Sequence, residues 1–257
     1  MSIICEDCIE GMKNMKDESI DIIIADPPYN IGKDFGNDSD KRTMENYIEW
    51  SKKWTSECLR VLKNDGTMFI YGMSENLAYI RSQVIGTSCN VKWLIWHYTN
   101  KCTPSLNCWQ RSHESILMCW KNAKRFNKDL VREPYTENFK KLDGRKRAST
   151  KGRFGDKETK YSVNEKGALP RDVIKIPALA GGAGKKERVD HPTQKPLKLC
   201  DTLLKSCYKK GDKVLIPFAG SGSECVAAKD LGLDFIAYEL NKDYVKLCED
   251  RLCQNNK

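Results

Sequence analysis

Apolar runs bounded by turn residues predict strands at 20–25, 67–71, 91–97, 115–120, 213–217 and 235–239, several of them continuously apolar. Runs without polar alternation belong to a sheet covered on both faces. Between them the apolar positions fall three to four residues apart, the spacing of a helix face. Tyr47, Trp50, Trp54, Cys58 and Val61 predict a helix over 46–62, stopped by Asn64-Asp65-Gly66. Leu197, Cys200, Leu204 and Cys207 predict another over 197–208. A third follows a glycine-rich turn over 221–231, and a last one over 243–252 has Asn241 as a candidate N-cap. Strands alternating with helices give an α/β fold, a doubly wound and mostly parallel sheet.

The stretch 121–189 breaks this rhythm, being poor in periodic apolar positions and rich in Lys, Arg and Gly. We therefore divide the chain into 1–120, an insertion at 121–189, and 190–257. An insertion of this length inside a compact domain is more often functional than accidental. The chain carries a formal charge of +9, and residues 121–160 alone hold 14 Lys and Arg against 6 Asp and Glu, a net +8. A basic patch of this kind suits a polyanion such as nucleic acid; a solvated loop is the plain alternative. No run approaches the roughly 20 apolar residues that span a bilayer, so a soluble, cytoplasmic protein with no membrane partner is expected.

Twelve cysteines raise the question of a metal. Cys5 and Cys8 form one C-x-x-C, but no second pair follows and the three histidines lie far apart. Structural zinc needs paired half-sites, so no metal is expected. Cys58, Cys119, Cys200, Cys207 and Cys248 fall on apolar faces, where thiols act as small hydrophobes.

Two segments carry chemistry. Asp26-Pro27-Pro28-Tyr29 closes a strand, at the end where open α/β sheets bind ligands. Two prolines remove two backbone donors and fix φ, leaving carbonyls and side chains to face a substrate. The Asp26 carboxylate and the Pro27 carbonyl can each accept one N–H of an exocyclic amine, and Tyr29 can stack on a base. Inside a duplex that base must first be flipped out. The second segment, Pro217-Phe218-Ala219-Gly220-Ser221-Gly222, joins a strand to a helix. Gly220 and Gly222 permit close approach of the backbone to a ligand. Glu239 ends the following strand, 17 residues beyond Gly222, where it can bind ribose hydroxyls. Position 225 is Cys rather than the third glycine of G-x-G-x-x-G, which favours a nucleoside ligand over a dinucleotide.

In this order, tetrapeptide, basic insertion, His191-Pro192-Thr193-Gln194-Lys195-Pro196, then Phe218–Gly222, the chain resembles the β-class amino-methyltransferases of bacterial restriction-modification systems. The resemblance implies a Rossmann-like fold, S-adenosylmethionine as cofactor, and methylation of a flipped base in DNA. N6 of adenine is the expected target, because Asp rather than Ser opens the tetrapeptide; N4 of cytosine is the alternative. By the same resemblance Asp26, Pro27, Pro28 and Tyr29 are catalytic. Phe218, Ala219, Gly220, Ser221, Gly222 and Glu239 hold the cofactor, with Asp7 toward its adenine and Thr193, Lys195 and Pro196 along its methionine end. Asp7 reads equally as a plain helix cap. Lys140, Lys141, Arg145, Lys146, Arg147, Lys151 and Arg153 are candidates for phosphate contacts. DNA is the implied partner, with a companion restriction endonuclease and a homodimer as further expectations. An RNA or protein methyltransferase usually reverses the motif order, and a catalytically silent DNA-binding protein would not need Asp26 and Tyr29. The family usually has Asp where this chain has Ile216, and Thr where it has Ser223. The loop 30–40, with Gly32 and Gly36, follows the tetrapeptide as a lid or as a passive surface loop.

Overall fold

The computed structural model describes residues 1–36, 40–147, 160–182 and 184–254. It divides into two compact units, Met1–Phe126 with Asp172–Lys257, and Asn127–Arg171.

The first unit is built on one sheet of eight strands among the described residues. These are β1 (Ser2–Cys5), β2 (Ile20–Ala25), β3 (Leu62–Gly72), β4 (Asn90–His97), β5 (His113–Trp120), β6 (Val173–Lys175), β7 (Lys213–Ile216) and β8 (Asp234–Glu239). Their order is β1-β8-β7-β2-β3-β5-β4-β6, with only β5 antiparallel to its neighbours. The helices of this unit are α1 (Cys8–Lys13), α2 (Met44–Val61), α3 (Ser74–Tyr79) continued by a π-turn at Ile80–Ile85, α5 (Leu197–Cys207), α6 (Ser223–Asp230) and α7 (Lys242–Gln254); α4 (Glu137–Lys140) belongs to the second. This is the expected doubly wound, mostly parallel fold.

Every residue of β2 is buried, because the sheet is covered on both sides. Alternate side chains of a strand point to opposite faces. Ile22 and Ile24 pack with Leu199, Leu203 and Cys225 of α5 and α6, while Ile23 and Ala25 pack with Trp54, Cys58 and Met12 of α2 and α1. Burying each such large apolar side chain contributes about 1.5–3 kcal/mol. Helix α2 starts where the Thr43 hydroxyl accepts from Asn46 N at 3.3 Å and stops as Leu62 turns extended. The turn expected at Asn64-Asp65-Gly66 lies instead inside β3. Between the pairings Ile20↔Leu62 and Ile22↔Thr67 residues 63–66 stand against Asp21 alone, and the strand absorbs the extra length as a bulge.

The topology locates a ligand crevice. From β2 the chain crosses through α2 to β3 on one side, and from β7 through α6 to β8 on the other. Adjacent β2 and β7 are therefore the switch point, and open α/β sheets bind ligands outside the carboxyl ends of the strands there.

The stretch 121–189 is shared between the units. Arg125 belongs to the first, where its guanidinium pairs with Asp65 at 2.7 Å and Asp212 at 2.9 Å. Strand β6 returns to the sheet beside β4. The second unit has its own small aromatic core, with Tyr135 stacked on Phe139 at 4.8 Å and Tyr161 edge-on at 5.8 Å.

Candidate active site

The Asp26 tetrapeptide leaves β2 and the glycine turn leaves β7 side by side. They open into one cleft of about 990 Å³ including its mouth. Asp26 to Tyr29 form one wall of it and Pro217 to Ser221 another, and Asp7, Thr193 and Glu239 also line it. Six carboxylates (Glu6, Asp7, Asp26, Asp40, Glu224 and Glu239) line it against two cationic side chains, Lys33 and Arg42. In a chain of charge +9 this is a local inversion, and it favours a ligand carrying positive charge over one carrying phosphate.

At the tetrapeptide the Tyr29 hydroxyl lies 2.8 Å from Asp26 Oδ1 and 3.0 Å from Glu114 Oε2. With one proton it donates to one carboxylate at a time. Lys195 Nζ donates to Asp26 Oδ2 at 2.9 Å and lies 3.4 Å from Glu114 Oε2. The same ammonium stands 5.1 Å from the centroid of the Tyr29 ring, a cation–π contact that occupies one ring face. Tyr98 donates to Glu114 Oε1 at 3.2 Å, and Asn76 donates its amide to the Tyr29 carbonyl. Burial raises the Asp26 carboxyl above the usual range, with Lys195 pulling it down and Glu114 pushing it further up. Burial also opposes the Lys195 charge, but Asp26 and Glu114 outweigh it and hold the ammonium ionised.

Around the glycine turn, Glu239 accepts from Gly220 N at 2.8 Å and from Asn241 N at 2.9 Å, which fixes its carboxylate at the rim of the cleft. Phe218 is held by Trp50 at 5.7 Å and Trp54 at 5.4 Å. Gly220 and Gly222 have φ of +49° and +74°. A Cβ on Gly220 would meet His191 Nε2 at 3.0 Å, and one on Gly222 would meet Cys248 Sγ at 2.8 Å. Gly222 thus serves the packing of α6 on α7 and is not among the cleft-lining residues. Burial, with Lys195 and Arg251, lowers the His191 pKa to about 4 and keeps the ring neutral.

Asp7 caps α1 by accepting from Ile9 N at 2.8 Å, and it also lines the cleft. Lys195 and Pro196 do not line it; Lys195 is drawn back onto Asp26, and Pro196 is the N-cap of α5. The segment after the tetrapeptide is tied down, since the buried Asp40 carboxylate accepts from the backbone N–H of Asn30, Ile31 and Lys33. It presents Ile31, Lys33 and Phe35 to the cleft. Ile216 is wholly buried in apolar surroundings.

These sequence and structural features have close counterparts. Residues 20–250 match the family model described as DNA methylase. The chain is 34% identical over 97% of its length to the Type II methyltransferase M.HpaI of Haemophilus parainfluenzae, covering 73% of that protein. It is 31% identical over 98% of its length to the DNA adenine methyltransferase YhdJ of Escherichia coli, covering 82% of it. The chain belongs to the DNA methylase family. The fold agrees: the cytosine-N4-specific PvuII DNA methyltransferase superposes with a TM-score of 0.69 at 16% identity, over 100% of this chain and 87% of that one. This methyltransferase is thus a member of the N6-adenine/N4-cytosine class that uses S-adenosylmethionine on DNA.

Within the methyltransferase, Lys140, Lys141, Arg145, Lys146 and Arg147 lie in the second unit, and none of them lines the cleft; Lys151 and Arg153 lie outside the described residues. Lys140 pairs with Glu137 at 2.7 Å, and Arg147 lies 4.8 Å from the Tyr161 ring centroid. Glu114, Tyr98, Asn76 and Asp40 went unnoticed in the sequence, where nothing but their polarity distinguishes them. Among the described residues no group of His, Cys, Asp or Glu is arranged to hold a metal, and no helix is long and apolar enough to cross a membrane. All twelve cysteines are free thiols, eight of them buried.

Proposed function

We propose that this methyltransferase modifies N6 of adenine, with Asp26 and Pro27 receiving the exocyclic amine and the glycine turn and Glu239 holding the cofactor. The observation that carries the reading is the meeting of both segments in one acidic cleft at the β2/β7 switch point. S-adenosylmethionine, when bound, supplies an electrophilic methyl group on a sulfonium. Its positive charge suits six lining carboxylates, and Glu239 suits its ribose hydroxyls.

The protein's own part is to make the amine lone pair available. Asp26 Oδ1 and the Pro27 carbonyl each accept one N–H, which draws the nitrogen toward sp³ geometry. Lys195 fixes the far oxygen of Asp26, so the carboxylate presents one oxygen in one orientation. Tyr29 offers the ring face that Lys195 leaves open for stacking the flipped base. When nitrogen gains its fourth bond, one N–H proton must leave. Asp26 is the acceptor, because burial has already raised its proton affinity. The basic second unit takes the DNA backbone.

Asp at the head of the tetrapeptide and the 31% identity to an adenine methyltransferase support adenine. Incubating the protein with DNA and S-adenosylmethionine, then digesting to nucleosides for mass spectrometry, tests it. N6-methyl-2′-deoxyadenosine is expected, absent with Asp26→Ala, and N4-methyl-2′-deoxycytidine in its place sinks the choice of base. A companion restriction endonuclease, a homodimer and a cytoplasmic location extend this reading; co-purification, sedimentation and fractionation test them in turn.

A further inference from the structure

Glu224 has no part in the chemistry assigned to Asp26 and Glu239, yet it is placed like a ligand-binding group. It sits in the first turn of α6, is 3% exposed, and lines the cleft. Charged and titratable groups face it from every side: Asp26 after β2, Lys195 ahead of α5, Cys200 on α5, Tyr71 on β3 and Cys248 on α7. Its Oε1 accepts from Cys200 Sγ at 3.4 Å, a weak donor. The Lys195 ammonium is committed to Asp26 and Glu114. Among the described residues no ammonium or guanidinium comes within ion-pair distance of Glu224. Three carboxylates therefore share one buried ammonium, and a buried carboxylate without a cation is strongly unfavourable.

The glycine turn explains what is missing. Ile216, at its start, occupies the position where the family usually has Asp, and it is buried in the apolar core. Glu224 stands just past the other end of the same turn and faces the cleft. We propose that Glu224 binds the α-ammonium of the cofactor's methionine half, supplying from α6 the negative charge that Ile216 cannot supply from β7. This rests on the reading that the cleft holds S-adenosylmethionine, and it assigns that site a residue outside the motifs.

Burial first, then Asp26, raises the Glu224 pKa to about 7. Near neutral pH this carboxyl is thus partly protonated. An ammonium brought alongside favours the ionised form, so binding expels a proton to solvent at and below that pH.

Calorimetry on the full-length protein separates the possibilities with two probes. S-adenosylhomocysteine keeps the ammonium and has no methyl to transfer, whereas 5′-methylthioadenosine lacks the amino-acid end. Glu224→Gln is expected to weaken the first by about ten- to hundredfold and to leave the second unchanged, which also shows that the variant is folded. Glu224→Asp should recover part of the loss. At about pH 6, titrations in buffers of different ionisation enthalpy should reveal proton release in the wild type and none in Glu224→Gln. Equal losses for both probes, an unweakened S-adenosylhomocysteine, or undiminished proton release overturns the assignment. If the wild type binds neither probe, the cofactor reading itself falls, and this inference with it.

Discussion

Lys195 brings a buried positive charge to the tetrapeptide. Its ammonium is buried between Asp26 and Glu114 and faces the rings of Tyr29 and Tyr71 at 5.1 and 5.2 Å. Removing one member of a buried pair leaves the other uncompensated and costs about 3–5 kcal/mol. Lys195→Met should therefore lose stability of that order in a urea melt. Because Lys195 holds the Asp26 pKa down, its removal should also shift the acid limb of the kcat/KM–pH profile to higher pH. An unmoved limb would show that the ammonium is only structural. His191 gives a second test. Its native pKa is about 4, against about 6.5 when unfolded, so the unfolded chain binds more protons between those values. The stability it contributes is whole above about pH 6.5 and is lost as pH falls toward about 4. Thermal midpoints of His191→Asn should fall less steeply than the wild type over that interval.

Among elements, the segment 30–36 shows how a loop becomes part of a site. Asp40 gathers three backbone N–H groups, Asn30 exchanges bonds with the Arg42 backbone at 2.7 and 2.9 Å, and Asn241 reaches the Phe35 carbonyl at 3.1 Å. Asp40→Ala should leave those donors unpaired, speed amide exchange at Ile31 and Lys33, and raise KM for the cofactor more than it lowers kcat. Equal exchange rates would show that the loop is held by other means. The sequence could not have revealed this, since Asp40 is one acid in a polar stretch. Its strong signals were elsewhere. β2 and β7 are apolar but for Asp21 and Lys213 and were legible almost to the residue. β1 and β6, of four and three residues with exposed positions, left no periodicity to read. The tetrapeptide and glycine turn were legible because their chemistry is local. Glu114 and Lys195 were not legible as partners of Asp26, because the fold brings them together from 88 and 169 residues away.

At the scale of the molecule, charge is unevenly distributed. The cleft is acidic, whereas Lys140, Lys141, Arg145 and Arg147 lie in the second unit. Replacing those four with Gln should weaken DNA binding similarly across sequences. It should also flatten the plot of log affinity against log salt by about 0.9 for each phosphate no longer neutralised, with cofactor affinity unchanged. An unchanged slope would place the phosphate-binding groups elsewhere. The first unit gives up the chain after Phe126, next to Arg125 and its pairs with Asp65 and Asp212, and takes it back at Asp172, one residue ahead of β6, whose Val173 pairs with Ile95. Both ends are thus secured by contacts of the first unit's own. On the proposed reading that the unit between them takes the DNA, a recombination event could exchange it for a module of different length, giving the same chemistry a new address on the genome while Asp26, Lys195 and the glycine turn stay as they are.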